Sequence, residues 1–342
     1  MSRYLLLPAP AANRVYADAT ATMLRAELTV LGRAALDGRI GTVEPETVAG
    51  VQYLALDADR LDERDLAFLG LASAFYALFE RDGELLRPVA VPSPEKYPSD
   101  LLTILKYQGK TNEQFTRLVL NITAASTARP DGVLDGTLRV LDPVCGRGTT
   151  LSQAVMYGLD AVGIDVDTKD FELYSSFFTT WLKDHRFKHA AATTAVRREK
   201  SVIAKKYEAA FAAQKADYLA GRKQTLTCFA GDTLVTSQLL KPGSVDVVVG
   251  DLPYGVQHGS RGPAAWCATR STCWKRHFPA GPHGSAPAGD GAGVEHSGSA
   301  AGTGRRTPHR RRPDGALRAG YDDLQHRVDR AITRDVIVAR RD

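Results

Sequence analysis

The stretch TLRVLDPVCGRGTTLSQAVMYGLDAVGID, residues 137–165, decides the fold. It opens with an apolar strand candidate at 137–141 and continues into a glycine loop, CGRG, at 145–148. Helical character follows from 149 to 157, and a second apolar strand candidate occupies 161–164. The order of strand, glycine loop, helix and strand predicts a βαβ unit with two parallel strands.

Two further apolar runs extend this unit into a larger sheet. Residues 226–229 and 245–249 are short and apolar, as expected for strands that are covered on both faces. Short apolar strands that are separated by helical segments predict an α/β fold with a doubly wound, Rossmann-like sheet.

A proline-rich segment divides the chain into two predicted units. The sequence PSPEKYP at 92–98 has the composition of a linker or an extended surface connection. We therefore expect a small N-terminal α/β domain at 1–97 and a second domain at 98–342. The elements predicted in the first unit are a helix at 17–36, a strand at 51–56 and a helix at 66–80.

Residues 168–222 form a basic insertion between the second and third strands. The segment is helical in pattern and rich in Lys and Arg, with Trp181, Phe187 and Tyr207 among the cations. One interpretation is a solvated helix pair whose aromatic side chains face the core. The other is a nucleic-acid-binding surface.

The composition excludes several classes of protein. No apolar run approaches the roughly 18 residues that a membrane-spanning helix needs, and the apolar run at the N-terminus is too short for a secretion signal. We therefore expect a cytoplasmic protein without a membrane partner. The four cysteines are too few and too irregularly spaced for a disulfide framework or a metal site, so no metal is predicted. The net charge of +5 is compatible with a polyanionic partner.

Carboxylates stand at the predicted strand ends, where sheets of this class bind ligands. Asp142 lies at the mouth of the glycine loop, where it would repel a pyrophosphate but can meet the cationic end of S-adenosylmethionine. Asp165 is placed to accept two ribose hydroxyls, and Asp232 can accept from an adenine amino group. Gly146 and Gly148 allow close approach of the backbone. The pattern favours S-adenosylmethionine over a dinucleotide.

The fourth strand runs into DLPYG at 251–255, which we interpret as the catalytic motif. An exocyclic amine on a base is a poor nucleophile, and an enzyme gains by accepting its N–H bonds. Asp251 and the carbonyl of Leu252 can do this. Tyr254 can stack on an unpaired or flipped base, while Pro253 stiffens the turn. The alternative, an ordinary strand-to-turn sequence, is weakened by the glycine loop upstream.

These motifs resemble those of the nucleic-acid amino-methyltransferases, whose signature is a DP.CG.G loop followed by [DN]PP[FYW]. More narrowly, residues 97–258 look like the tRNA guanosine methyltransferases that act on the guanosine amino group in the D-arm region, and their bacterial relatives. The resemblance implies a class I methyltransferase sheet, S-adenosylmethionine as cofactor, and RNA, specifically tRNA, as partner. It implies cofactor contacts from Asp142, Pro143, Gly146, Gly148, Asp165 and Asp232, a helix around Phe115 and Thr116 beside the cofactor, and base contacts from Asp251, Pro253 and Tyr254.

The chain departs from this family in two places. Leu252 stands where the family usually has proline, which keeps the carbonyl but removes a fixed φ. Family members often carry an N-terminal RNA-binding THUMP domain, and residues 1–95 contain no recognisable one.

From residue 261 the sequence changes character. Residues 261–315 are of low complexity, with almost no aliphatic side chains up to 312, and we expect them to be poorly ordered and to supply no core strand or helix. One interpretation is a disordered basic tail that binds nucleic acid. The preferred one is a frame-disturbed segment, because shifting the frame over 266–279 gives the helix-like peptide LVRDPLDLLEAPLP and over 290–296 the strand-like MGLAWN. Strand periodicity returns at 323–341, which suits the closing hairpin of a methyltransferase sheet.

The leading hypothesis is therefore methyl transfer from S-adenosylmethionine to the amino group of guanosine in structured RNA, with tRNA as the first candidate. Two alternatives remain. One is an adenine or cytosine amino-methyltransferase acting on DNA, since the same motif geometry serves both. The other is a nucleic-acid-binding protein with a degenerate site that does not turn over.

Overall fold

The structure is a computed structural model that describes residues 1–10, 14–107, 110–251, 290–298, 324, 326–329 and 332–339. These residues form a mixed α/β structure with two β-sheets. None of the described helices is both long and apolar enough to cross a membrane.

The first sheet is antiparallel and lies in the N-terminal part of the chain. Its strands follow the spatial order β2-β3-β1-β4-β5. In chain order the elements are β1 (Ser2–Pro8), α1 (Arg14–Ala34), β2 (Glu44–Val48), β3 (Val51–Ala58), α2 (Glu63–Leu71), β4 (Phe75–Asp82) and β5 (Leu85–Val89). The helix predicted at 17–36 and the strand predicted at 51–56 are confirmed.

The helix predicted at 66–80 is wrong in its second half. A capping box between Asp62 and Asp65 starts α2, but Ala72 has φ −50° and ψ 132°, an extended conformation that ends the helix. The chain then re-enters as β4, which pairs with β1 on one side and β5 on the other. Two neighbouring strands thus override the helical spacing of the apolar residues.

The second sheet has nine strands in the order β13-β14-β12-β11-β6-β7-β10-β9-β8. Its five central strands, from β12 to β10, are parallel, and both edges carry antiparallel strands. The elements are α3 (Asp100–Thr103), α4 (Glu113–Ala125), β6 (Arg139–Asp142), α5 (Thr149–Met156), β7 (Asp160–Asp165), α6 (Thr168–Asp184), β8 (His189–Arg198), β9 (Ser201–Phe211), α7 (Lys215–Leu219), β10 (Gln224–Ala230), α8 (Thr236–Leu239), β11 (Val247–Asp251), β12 (Asp290–Gly298), β13 (His326–Asp329) and β14 (Ile332–Ala339).

The four strands predicted in this region are all present, as β6, β7, β10 and β11. The sheet grows from β6 in both directions. The chain passes from β6 to β7 and β10 on one side, then returns to place β11 on the other. Alternate residues of the strands belong to different apolar clusters, with Val140 in the larger and Leu141 in the smaller. The larger cluster also contains buried residues of α4, α5 and α6, so these helices cover one face of the sheet.

The expectation of a helical insertion at 168–222 is correct only for α6 and the short α7. Residues 189–198 and 201–211 form a β-hairpin that extends the sheet beyond β10. In β9, buried Tyr207, Ala209 and Phe211 alternate with more exposed residues, a period of two that the Lys and Arg residues obscure at sequence level.

The expectation that 261–315 supplies no core strand is wrong at 290–298. These residues form β12, which pairs in parallel with β11 and antiparallel with β14. Strand pairing uses backbone N–H and C=O groups, so a ladder can form without the aliphatic side chains on which the expectation depended. The rest of 261–315 lies outside the described residues. The strand periodicity predicted at 323–341 is confirmed by β13 and β14, with Val336 and Val338 buried.

A single apolar cluster contains residues of both sheets, and within it the buried carboxylate of Glu27 links α1 to α4. Glu27 of α1 is fully buried and accepts hydrogen bonds from the Ser73 backbone N–H, at 2.9 Å, and from the Asn121 side-chain amide of α4, at 2.7 Å. The Tyr157 hydroxyl donates in turn to the Asn121 carbonyl, at 2.9 Å. The N-terminal helices and the second sheet are therefore tied by polar contacts as well as by apolar packing.

Candidate functional site

The site lies where the winding of the second sheet reverses. β6 has β7 on one side and β11 on the other, and ligands of open α/β sheets bind in the crevice outside the carboxyl ends of strands at such a reversal. Asp142, Asp165 and Asp251 are the last residues of these three strands. Because the strands are parallel, all three carboxylates lie at one edge of the sheet.

Asp142 is the most buried of the three, with 3 % of its surface exposed. Its Oδ1 accepts from the Val144 backbone N–H at 3.1 Å. Burial raises the pKa of Asp142 to about 7, and the nearby carboxylates of Asp165 and Asp251 raise it further, whereas the bonds from Val144 and Thr150 oppose the shift. The site therefore holds a carboxyl group that a cationic ligand would ionise.

The glycine loop after β6, CGRG, requires glycine at its last residue, Gly148. Gly148 has φ +75°, and a Cβ there would lie 2.4 Å from the ring of Tyr174. The loop is closed by the Gly148 backbone N–H donating to the Cys145 carbonyl at 2.7 Å. Gly146 also has positive φ, at +48°, and a Cβ there would meet nothing within 4 Å. The open side of the loop is thus at Gly146.

Asp165 ties the glycine loop to the second strand. Its Oδ2 accepts from the Gly146 backbone N–H at 2.7 Å, and its Oδ1 accepts from the Asp167 backbone N–H at 2.8 Å. Burial raises the pKa of Asp165, while these two backbone bonds oppose the shift. Each carboxylate oxygen has a second lone pair, so the group can still accept from two hydroxyls.

Asp232 follows β10 and is exposed. Its carboxylate accepts from the Leu234 backbone N–H at 2.8 Å and caps a short 3₁₀ turn. The next residue, Thr233, is buried and donates to the Pro143 carbonyl. The loops after β6 and β10 are therefore joined, and Pro143 contributes its backbone rather than its ring to this contact.

The segment between α3 and α4, called the strap below, contacts the site at Tyr107 and Thr111. Asp100, where α3 begins, accepts from the Trp181 indole N–H at 2.9 Å and contacts the His185 ring at 2.7 Å. Just before α4, the Thr111 hydroxyl donates to Asp251 Oδ2 at 2.6 Å. Thr111 therefore orients the carboxylate that was predicted to receive the base.

Tyr107 and Arg147 also bring the strap and the glycine loop together. The Arg147 guanidinium lies over the Tyr107 ring, 4.7 Å from its centroid, and donates to Asp170 at 2.8 Å. The Tyr107 hydroxyl lies 3.0 Å from that of Thr149. Thr111, Tyr107 and Arg147 were not predicted, because the contacts that involve them connect residues far apart in the sequence.

Phe115 and Thr116 lie in the first turn of α4, both buried. Asn112 caps this helix by accepting from the Phe115 backbone N–H at 3.1 Å, and the Thr116 hydroxyl donates to the Asn112 carbonyl at 3.2 Å. Phe115 belongs to the larger apolar cluster. The two residues thus support the strap end that carries Thr111. The predicted base-contacting residues Leu252, Pro253 and Tyr254 lie outside the described residues.

Cys145 packs against the second strand, where its Sγ would lie 2.8 Å from a Cβ on Gly163. Burial raises the pKa of its thiol well above the usual range. Within the described part of the chain, no group of three or more His, Cys, Asp or Glu side chains could hold a metal ion.

The sequence matches no family model and no curated protein. Solved structures are similar at a low level. The protein yhhF of Escherichia coli, provisionally described as a methyltransferase, has a TM-score of 0.33 at 12% identity, covering 70% of this chain and 92% of its own. PH1948 of Pyrococcus horikoshii, provisionally described as an RNA methyltransferase, has a TM-score of 0.31 at 13% identity, with coverage of 72% and 92%.

A third structure is the 16S rRNA N2 methyltransferase RsmC of T. thermophilus, solved with AdoMet and guanosine. It has a TM-score of 0.31 at 13% identity, and the match covers 89% of this chain and 59% of RsmC.

Proposed function

We propose that the protein is a class I methyltransferase that transfers a methyl group from S-adenosylmethionine to an exocyclic amino group of a base in RNA, with guanosine in tRNA as the substrate. The observation that carries this proposal is the pair Asp142 and Asp251 at the ends of adjacent parallel strands, on the two sides of the winding reversal. Asp142 suits a cationic cofactor, and Asp251 suits the amine of a base.

The cofactor half of the site uses Asp142, Asp165 and the glycine loop. S-adenosylmethionine is cationic at its ammonium and sulfonium groups, so it favours the ionised form of a buried carboxyl such as Asp142. Asp165 retains lone pairs for the ribose hydroxyls, and Gly146 leaves open space for close approach. A pyrophosphate would meet the Asp142 and Asp165 carboxylates, which argues against a dinucleotide. Asp232 is exposed, and its carboxylate, which caps the turn after β10, would accept from the adenine amino group through its remaining lone pairs.

The base half of the site uses Asp251. Its carboxylate would accept an N–H of the base amine while the nitrogen forms its bond to the methyl carbon and the methyl–sulfur bond breaks. The proton released by the amine passes to Asp251 or to water. The Thr111 hydroxyl donates to one oxygen of this carboxylate, which fixes its direction. The Leu252 carbonyl, Pro253 and Tyr254 complete this half in the proposal.

RNA is preferred to DNA because of the resemblance of residues 97–258 to the tRNA guanosine methyltransferases, whereas the basic segment after α6 suits either nucleic acid. We also propose a cytoplasmic location. The DNA alternative predicts transfer to duplex DNA, and the degenerate alternative predicts cofactor binding without transfer.

The test is the transfer of labelled methyl groups from S-adenosylmethionine to bulk tRNA and to duplex DNA. We expect label in tRNA, and a loss of at least about 100-fold in rate for Asp251→Ala, since one acceptor in a preorganised site contributes roughly that much. The matched control is Asp59→Ala, which removes an exposed carboxylate just after β3 and should retain the parental rate. Label in DNA alone would contradict the RNA assignment. Bound cofactor with label in neither substrate would contradict the enzymatic one.

A further inference from the structure

The hairpin of β8 and β9 projects past the edge of the sheet that carries the site. Lys205 pairs with Ala230, the last residue of β10, so the hairpin residues beyond Lys205 have no neighbour in β10. Four residues of β9, 201–204, extend roughly 13 Å in this direction. The Arg198 guanidinium donates to the Gln238 carbonyl of α8 at 3.0 Å and anchors the arm beside the site.

The arm is strongly basic. Residues 186–206 contain seven Lys or Arg side chains and one carboxylate, Glu199. Lys205 pairs with Glu172 at 3.0 Å, and Lys206 pairs with Glu208. In the part of the chain that the structure describes, the five remaining cations have no carboxylate partner. Arg197, Arg198 and Lys200 lie at the projecting end of the hairpin, and Arg186 and Lys188 lie before β8 at its other end.

A polar groove lies between α6 and the hairpin, at the level of Thr193 in the middle of β8. It has a volume of about 290 Å³ and is lined by six hydroxyl side chains and Lys183. Thr180 and Thr193 are exposed, and no hydrogen bond to another described residue occupies their hydroxyls. Hydroxyls combined with Lys and Arg are the groups that bind phosphate and sugar oxygens of nucleic acids. The only large apolar side chain exposed on the arm is Val202, which argues against a membrane surface.

We propose that the basic arm, defined as residues 186–206 with the groove beside α6, binds the sugar–phosphate backbone of the RNA substrate and so delivers a base to the crevice between β6 and β11. This inference rests on the proposed function for the identity of the substrate. Charge complementarity favours a polyanion, and the hydroxyl lining favours a sugar–phosphate chain over an acidic protein. The projection of the hairpin tip, residues 197–204, toward the site favours a substrate over a distant partner.

The test measures binding without turnover. Fluorescence anisotropy of labelled single-stranded RNA and of a tRNA transcript is recorded over a range of salt concentrations, without cofactor. The triple variant Lys188→Gln, Arg197→Gln, Lys200→Gln should bind at least about 10-fold more weakly at 0.1 M salt. Its log–log salt slope should fall by about 2, because each phosphate contact on a single strand contributes about 0.7.

Two matched variants separate local contacts from general effects. Arg33→Gln, Arg60→Gln, Lys241→Gln removes the same charge from exposed positions outside the arm and should change affinity less than about threefold. Lys188→Arg, Arg197→Lys, Lys200→Arg keeps the charge and should retain the parental affinity, which a damaged hairpin would not. Equal losses in the arm variant and the distant variant would overturn the proposal, as would displacement of RNA by polyglutamate at equal charge concentration.

The outcome is independent of methyl transfer. Methyl transfer to tRNA together with unchanged affinity in the arm variant would overturn the role of the arm and leave the proposed function intact. RNA binding that depends on the arm, with no methyl transfer by the parental protein, would support the arm and contradict the proposed function.

Discussion

Burial at the end of β6 holds the pKa of Asp142 near 7, so this side chain changes its charge in the range where cells operate. The folded-state pKa lies above the ordinary value of 3.8. The stability that Asp142 contributes is therefore present below about pH 4 and is lost as the pH rises through 7. A cationic ligand reverses this preference, because it favours the ionised carboxylate.

The affinity for S-adenosylmethionine is accordingly expected to rise with pH and to level off above about 7. At pH 6 it should be about tenfold below its plateau, since one unit of pKa corresponds to a factor of ten. Asp142→Asn should bind more weakly at pH 8 and should show a nearly flat profile from pH 5.5 to 8.5. Calorimetric titration over this range measures both curves. An undiminished slope in Asp142→Asn would show that another group controls the pH dependence.

The same carboxylates show how far the sequence predicts the site. Asp142, Asp165 and Asp251 could be placed because each ends a run of apolar residues, and parallel strands bring their ends to one edge. Thr111 could not be placed, because its bond to Asp251 spans 140 residues and no local pattern records it.

At the scale of elements, the parallel strands were predictable and the basic hairpin was not. The strands are short apolar runs bounded by turn residues, and their length favours a strand over a helix. In the hairpin, Lys and Arg occupy positions on both faces, and the alternation is visible only in the buried residues of β9. β12 was missed for another reason, since its residues pair through the backbone with β11 and β14.

The turn of the hairpin offers a test at this scale. Glu199 has φ +47° and Lys200 has φ +70°, conformations that favour Asn and Gly and that cost other residues on the order of 1 kcal/mol. Replacing the pair by Glu199→Asn, Lys200→Gly leaves the net charge unchanged. It should raise the free energy of unfolding by about 1 kcal/mol, measured by urea denaturation. A decrease would mean that these side chains make contacts that outweigh the backbone strain.

At the scale of the molecule, the sequence predicts a domain boundary between residues 97 and 98. One apolar core includes residues from both sides of this position and from both sheets. The apolar cluster includes Leu6 of β1 and Val140 of β6, and Glu27 links α1 to α4 through Asn121. A composition shift marks a linker in the sequence, but it cannot record whether the units on either side pack together.

Glu27→Ala should therefore destabilise both sheets together. It leaves the Ser73 N–H and the Asn121 amide without their acceptor, which costs roughly 3 kcal/mol when the groups are buried. Hydrogen exchange read by mass spectrometry should show parallel losses of protection in β1 and β6. Loss confined to residues 2–89 would instead support an N-terminal domain that unfolds independently.

The nature of the methylated nucleoside tests the central claim most directly. tRNA is incubated with the protein and methyl-labelled S-adenosylmethionine, digested to nucleosides and analysed by mass spectrometry. We predict that the label appears on the exocyclic amine of guanosine, as expected for a site in which Asp251 receives an amine. Label on a ribose hydroxyl or a ring carbon, or no label while the cofactor binds, would contradict it.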